Sequence, residues 1–131
     1  GGYGRYQPLL NEHLGYQNMV IIAGGIGVVP LLSIIDSHPD DNIQLFYTAH
    51  RQSDLLYPEK LANWQKRPTF RLFQQVGRFQ DAEVVRQLPK DWQVNTIFLF
   101  GGPSKMTRHW RRVLLRHGAS SGQIYAEEFD W

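Results

Sequence analysis

Short apolar runs alternate along this chain with stretches whose apolar positions recur at helical spacing, the pattern of βα units built around a parallel sheet. The first run, Met19 to Ala23, is apolar almost without interruption, as a strand covered on both faces requires. A helix is predicted from Pro30, with Leu31, Leu32, Ile34 and Ile35 as its apolar face, ending before Pro39. A second strand follows at Ile43 to Ala49, a loop at His50 to Leu56, and a helix over Pro58 to Gln65, stopped by Pro68. Thr69 to Val76 is the third strand and Ala82 to Leu88 a short helix ended by Pro89. Thr96 to Phe100 is the fourth, leading through Gly101, Gly102 and Pro103 into the longest helix, Ser104 to His117, with Gly118 as its C-cap. Gln123 to Glu127 is the fifth strand.

Right-handed crossovers leave few arrangements for five such strands, and the pattern predicts an α/β, doubly wound parallel sheet in the order 3-2-1-4-5. In that order the first and fourth strands are neighbours at the switch point. Both glycine turns, Gly24 to Gly27 and Gly101 to Gly102, then open onto one crevice. Residues 1–18 do not read as part of the sheet, and the start Gly1-Gly2-Tyr3-Gly4-Arg5 looks like the tail of something that precedes it; 19–131 is the domain proper.

In Gly24-Gly25-Ile26-Gly27-Val28-Val29-Pro30 the glycines permit positive φ and close approach of main chain to a ligand, while the helix N–H groups that follow suit a pyrophosphate. Pro30 fits the first helical turn, where a missing N–H costs nothing. Pro30 also stands where the common GxGxxG fingerprint has its third glycine, so that form is not matched, and a tight turn without a ligand stays open on this segment alone.

Composition narrows the chemistry. A chain of 131 residues is the size of one domain. It has no cysteine, which excludes disulfides, thiolate metal sites and cysteine nucleophiles. The five histidines show no short ligand spacing, so no metal is expected. There is no GxxxxGK[ST] loop, GxSxG elbow or HExxH pair, which leaves phosphoryl transfer, serine hydrolysis and zinc proteolysis without residues. A formal net charge of +2 is a weak argument for nucleic acid, and none is expected as a partner. No apolar run approaches the roughly 18 residues that span a bilayer, and the N-terminus lacks the features of a signal peptide, so nothing in these residues themselves is expected to insert into or cross a membrane.

GGIGVVP at Gly24 to Pro30, GGPSKM at Gly101 to Met106 and the ending IYAEEF together resemble the ferredoxin-NADP reductase superfamily, whose members carry GGxGxTP, CGPxxM and a C-terminal ExF in the same order. The similarity spans nearly the whole chain, and GGYGRY is similar to the GPYG segment that closes these enzymes' flavin barrel. The resemblance implies a Rossmann-like, C-terminal NAD(P)-binding domain, with residues 1–18 the tail of a flavin-binding barrel or a linker. It implies NADPH or NADH as cofactor, with FAD held mainly outside this chain and hydride passing from one to the other. The aromatic ending most resembles the ferric reductase and NADPH oxidase branch, which implies a cytoplasmic location, including that of a cytoplasmic domain of a membrane protein, and onward electron transfer to haem, ferric iron or another acceptor, with a membrane haem domain or a small electron-transfer protein as partner. A dinucleotide-binding regulatory module that transfers no hydride is the alternative.

By resemblance, Gly24, Gly25, Ile26, Gly27, Val29, Pro30, Gly101, Gly102, Pro103 and Met106 contact the dinucleotide. Val29 stands where the motif has Thr, whose hydroxyl can bond near the nicotinamide ribose or amide. Gly101 stands where the family has Cys, beside the nicotinamide. Glu127 is a candidate electrostatic tuner near that ring, and Phe129 and Trp131 sit where the family places a terminal aromatic beside the flavin; with Gly101 these are the expected residues of the reacting centre. Arg78 matches by position an arginine that holds the adenosine 2′-phosphate, although the accompanying Ser is Gly77 here, and Arg51 can reach a phosphate or ribose. Both also read as solvated loop residues. The helix bearing Arg108, Arg111, Arg112 and Arg116 has a basic side opposite a stripe of Met106, Trp110, Val113 and Leu114, and such a face is usually only solvated.

Overall fold

A computed structural model describes residues 15–128. Five strands, β1 Asn18–Gly24, β2 Asn42–Ala49, β3 Phe70–Val76, β4 Thr96–Gly102 and β5 Ile124–Glu128, form one parallel sheet in the order β3-β2-β1-β4-β5. Five helices accompany them: α1 Val29–Ser37, α2 Pro58–Trp64, α3 Asp81–Gln87, α4 Trp92–Asn95 and α5 Ser104–Arg116. The expected order is found, because continuous apolar strands leave both faces to be covered and right-handed crossovers place the covering helices.

Alternation along the strands divides the core in two. Met19, Ile21 and Ala23 of β1, with Leu45, Tyr47 and Leu99, pack against Leu31, Ile34 and Ile35 of α1 and Leu61 and Trp64 of α2. Val20, Ile22, Phe46, Phe98 and Phe100 face the other way, onto Val84 of α3, Trp92 of α4 and Trp110, Val113 and Leu114 of α5. α5 ends as its sequence predicts. Gly118 takes φ of 109°, its N–H bonds Leu115 O, and Ala119 N–H bonds Leu114 O, so a left-handed cap satisfies the last carbonyls. Lys105, Arg108, Arg112 and Arg116 lie exposed on the side opposite its buried stripe.

Three differences from the sequence pattern have local causes. Four-residue α4 has no periodicity to detect; Asp91, at φ 61°, turns the chain into it. A turn of 3-10 helix, Gly25–Val28, separates β1 from α1 and tightens the entry to the helix. β4 runs on through Gly101 and Gly102, which pair with Glu127 and Glu128 of β5, so these glycines are strand residues and not a turn. The absence of side chains disguised them as a break. Asn18, expected to lie outside the sheet, is the first residue of β1 and pairs with Asn42 and Thr96, because the strand needs a rung beside β4 where that strand begins. The segment 1–14 and the residues Phe129 and Trp131, for which roles were expected, lie outside the described residues.

Candidate functional site

At the carboxyl end of the sheet the chain leaves β1 and β4 towards opposite faces, β1 into α1 and β4 into α5. That divergence opens the switch-point crevice in which α/β sheets bind ligands. Gly25 adopts φ of 57°, a conformation glycine tolerates without strain, and a Cβ placed on it would meet nothing within 4 Å. The main chain here is open to a ligand. No side chain caps the turn Gly25–Val28 or α1, and neither first turn carries an acid, so their leading N–H groups have no carboxylate of their own turn against them. Val28 and Pro30 are buried and hold the turn from behind, while Ile26 and Val29 are 51% and 38% exposed. An exposed Ile beside a glycine turn supplies apolar surface where a flat ring can lie.

The segment from β4 closes the crevice from the other side. Gly24 and Gly102 approach the Met106 side chain so closely that a Cβ on either would lie 2.7 Å from its sulfur or its methyl carbon, respectively. The thioether therefore lies over the tips of both strands, and Pro103 comes within 3.8 Å of the same place above Gly24. Gly27 and Gly101 touch main chain to main chain: a Cβ on Gly101 would lie 2.1 Å from Gly27 O, and one on Gly27 would lie 2.3 Å from Gly101 O. Glu127 follows as the β5 partner of Gly101 and is half-buried. Beside it, Glu128 accepts a 2.7 Å hydrogen bond from the Thr107 hydroxyl of α5. Sequence reasoning missed that tie, since a buried threonine in a helix carries no separate signal.

The two arginines stand on the opposite side of the crevice. β2 and β3 pair Ala49 with Val76, so Arg51 and Arg78 each lie two residues beyond the last rung, on adjacent strand ends. Gly77, at φ 85°, ties the two exits together through its N–H bond to Ala49 O at 2.9 Å. Arg51 is highly exposed and bonds Asp54 at 3.2 Å; Arg78 is exposed, and its carbonyl accepts a 2.6 Å bond from Gln75. The loop bearing Arg51 is pinned from below, where Leu56 N–H donates to the Tyr47 hydroxyl oxygen at 2.9 Å. Burial pushes that phenol above its ordinary 10.0, against the opposing pull of the Leu56 hydrogen bond.

The sheet thus gathers Gly24, Gly25, Ile26, Gly27, Val29, Pro30, Gly101, Gly102, Pro103, Met106 and Glu127 about one crevice, with Arg51 and Arg78 displaced towards β2 and β3. Among the described residues no cluster of histidine and carboxylate ligands could hold a metal, and no helix is long and apolar enough to cross a membrane. Such a crevice suits a ligand with a pyrophosphate at its middle.

Comparison with known proteins agrees. Residues 21–112 match the oxidoreductase NAD-binding domain family. An NADH-cytochrome b5 reductase-like protein of Arabidopsis thaliana is 30% identical over 80% of this chain, which spans 35% of that protein. Among solved structures, the cytochrome P450 reductase GcoB of Amycolatopsis superposes with a TM-score of 0.74 at 22% identity, over 91% of this chain and 39% of that one. The cytochrome b5 reductase domain of Ulva prolifera nitrate reductase gives 0.71 at 21%, over 86% and 49%. This chain covers about a third to a half of the length of these proteins. Fold, glycine motifs and matched span together make the chain a member of the oxidoreductase NAD-binding domain family, of the ferredoxin reductase type.

Proposed function

We propose that this chain binds NADH or NADPH across the carboxyl ends of β1 and β4 and presents the nicotinamide to FAD held by a neighbouring barrel domain of the same protein. The observation that carries this reading is the meeting, at the switch point, of Gly24 with Pro103 and Met106 and of Gly27, in the open turn Gly25–Val28, with Gly101 and Gly102. Main-chain N–H groups of the turn and of α1, whose first turns carry no acid, hold the pyrophosphate. Adenosine lies towards β2 and β3, in reach of Arg51 and Arg78, and the nicotinamide lies towards β4 and β5, beside Gly101 and Glu127. Bound together, the two cofactors supply the hydride chemistry. The chain's own work is to bind and to orient.

The residues before Asn18, which itself opens β1, are the tail of that barrel or the linker to it, and Phe129 and Trp131 stack by the flavin. Electrons pass onward to haem, ferric iron or another acceptor, by way of a membrane haem domain or a small electron-transfer protein. Support for such neighbours comes from the relatives, named as a cytochrome P450 reductase, a cytochrome b5 reductase domain and a flavohemoglobin of Malassezia yamatoensis with bound FAD and haem. Titration of this chain with NADH and NADPH, followed by calorimetry, tests the binding; anaerobic mixing of NAD(P)H with the protein that carries both domains, followed by flavin bleaching, tests the transfer. Binding without bleaching refutes transfer, and no binding of either nucleotide refutes the whole reading.

A further inference from the structure

Five glycines line the crevice, and they are glycine for different reasons, Gly25 for its φ of 57°. At Gly24 and Gly102 an added Cβ meets the far end of Met106, a flexible side chain that can swing aside. At Gly27 and Gly101 it meets main chain. On Gly27 it would stand 2.3 Å from Gly101 O, 2.4 Å from Gly101 C and 2.6 Å from Gly102 N; on Gly101 it would stand 2.1 Å from Gly27 O. Neither residue has positive φ, since the described glycines that do are Gly15, Gly25, Gly77 and Gly118. Close approach alone therefore demands glycine at both positions.

The approach can be relieved in only one direction. Gly101 sits in β4 between Ala23 of β1 and Glu127 of β5, held by ladder hydrogen bonds on both sides. The same hypothetical Cβ would lie 3.0 Å from Leu31 Cδ1, and Leu31 is fully buried in the core beneath α1. Strand and helix are fixed by packing. The 3-10 turn, Gly25–Val28, has no place in the sheet and is anchored in the core only through Val28, so its leading part, Gly25 to Gly27, is what can move, and on the reading above its N–H groups hold the pyrophosphate.

We propose that Gly101 is a positioning residue: its missing side chain lets the Gly27 carbonyl seat on β4, and this glycine-on-glycine contact sets where the pyrophosphate-holding turn stands in the crevice. The inference rests on the nucleotide-binding reading above. It recasts the departure from the CGPxxM pattern. Gly101 is coupled to the seat of the turn, so restoring a cysteine there lifts the turn and weakens dinucleotide binding.

Two measurements test this. In the wild-type chain, NMR cross-peaks between the α protons of Gly27 and Gly101 are expected, and their absence overturns the contact whatever any variant does. Calorimetry then compares NADH with 5′-AMP, which has neither the second phosphate nor the nicotinamide riboside. In Gly101→Ala and Gly101→Cys the ratio of NADH to AMP affinity falls about tenfold, the low end of an overpacking penalty expressed as a binding ratio. Gly27→Ala produces a similar fall, and the double variant Gly27→Ala with Gly101→Ala falls little further, because both changes break one contact. An unchanged ratio, equal losses for NADH and AMP, or additive effects would overturn the proposal while wild-type binding leaves the function intact. Failure of the wild-type chain to bind either nucleotide would overturn the function, and this inference with it. Should an alanine variant fail to fold, the α-proton contact still decides.

Discussion

Val29→Thr is expected to gain function, the opposite of what Gly101→Cys should do. Both substitutions restore a residue of the family motif, yet their surroundings differ. Val29 opens α1 at φ −56° and ψ −50°, directly after the 3-10 turn, and is 38% exposed. Exchanging a half-exposed methyl for a hydroxyl there costs little burial, and Val and Thr have similar helix propensities. Stability should stay within about 0.5 kcal/mol of wild type, as at surface sites. The hydroxyl offers one hydrogen bond to the nicotinamide ribose or amide, worth about 0.5–1.5 kcal/mol net. That is roughly a two- to tenfold gain in affinity for NADH and NADPH. Calorimetric titration of wild type and Val29→Thr with NADH, NADPH and ADP separates the causes, because ADP lacks the nicotinamide riboside. An unchanged NADH affinity at an unchanged melting temperature refutes the reasoning, and so does an equal gain for ADP, which would place the hydroxyl at the wrong end of the ligand.

Arg78→Ala should weaken NADPH binding about fivefold, one charge-assisted contact screened by solvent, and NADH binding by less than about twofold; equal losses would remove Arg78 from the 2′-phosphate. Asp36 joins α1 to α2 by accepting hydrogen bonds from Lys60 and, at 2.7 Å, from the buried indole of Trp64. Burial pushes its carboxyl up, but those two hydrogen bonds and the charges of Lys60 and Arg67 together outweigh burial and hold it below its ordinary 3.8. Because its folded value is depressed, the stability Asp36 contributes is complete above that ordinary value and lost as pH falls through the folded one. Melting temperatures of wild type and Asp36→Asn measured against pH should therefore differ at neutrality and converge in strong acid, and a constant gap would refute this. Gln123 is buried, donates to Trp92 O at 3.0 Å and Thr96 O at 2.7 Å, and accepts from Ser120 N–H at 2.8 Å. Gln123→Ala strands those groups and should cost about 2–4 kcal/mol in urea unfolding; less than about 1 kcal/mol would mean that water replaces the amide.

Five strands, their order and the ends of most helices were legible because each rests on local signals: apolar runs for β1 and β4, Pro30 and Pro58 at helix starts, Gly118 at a helix end. The two glycine motifs could be brought to one crevice from strand order alone. Gly101 and Gly102 were misplaced as a turn, since a glycine that belongs to a strand looks the same in sequence as one that ends it. Short α4 and the Thr107 to Glu128 bond left no pattern at all.

The sequence by itself determined the periodicities, and with them a doubly wound sheet whose glycine segments flank the switch point. Tertiary structure decided what those glycines are for. Gly27 and Gly101 lie more than seventy positions apart, and only the pairing of β1 with β4 brings their backbones within a side chain's width. Register likewise sets Arg51 beside Arg78 on adjacent strand ends. Local pattern reports which face of a strand is apolar; contact between distant segments depends on the packing that excludes every other approach.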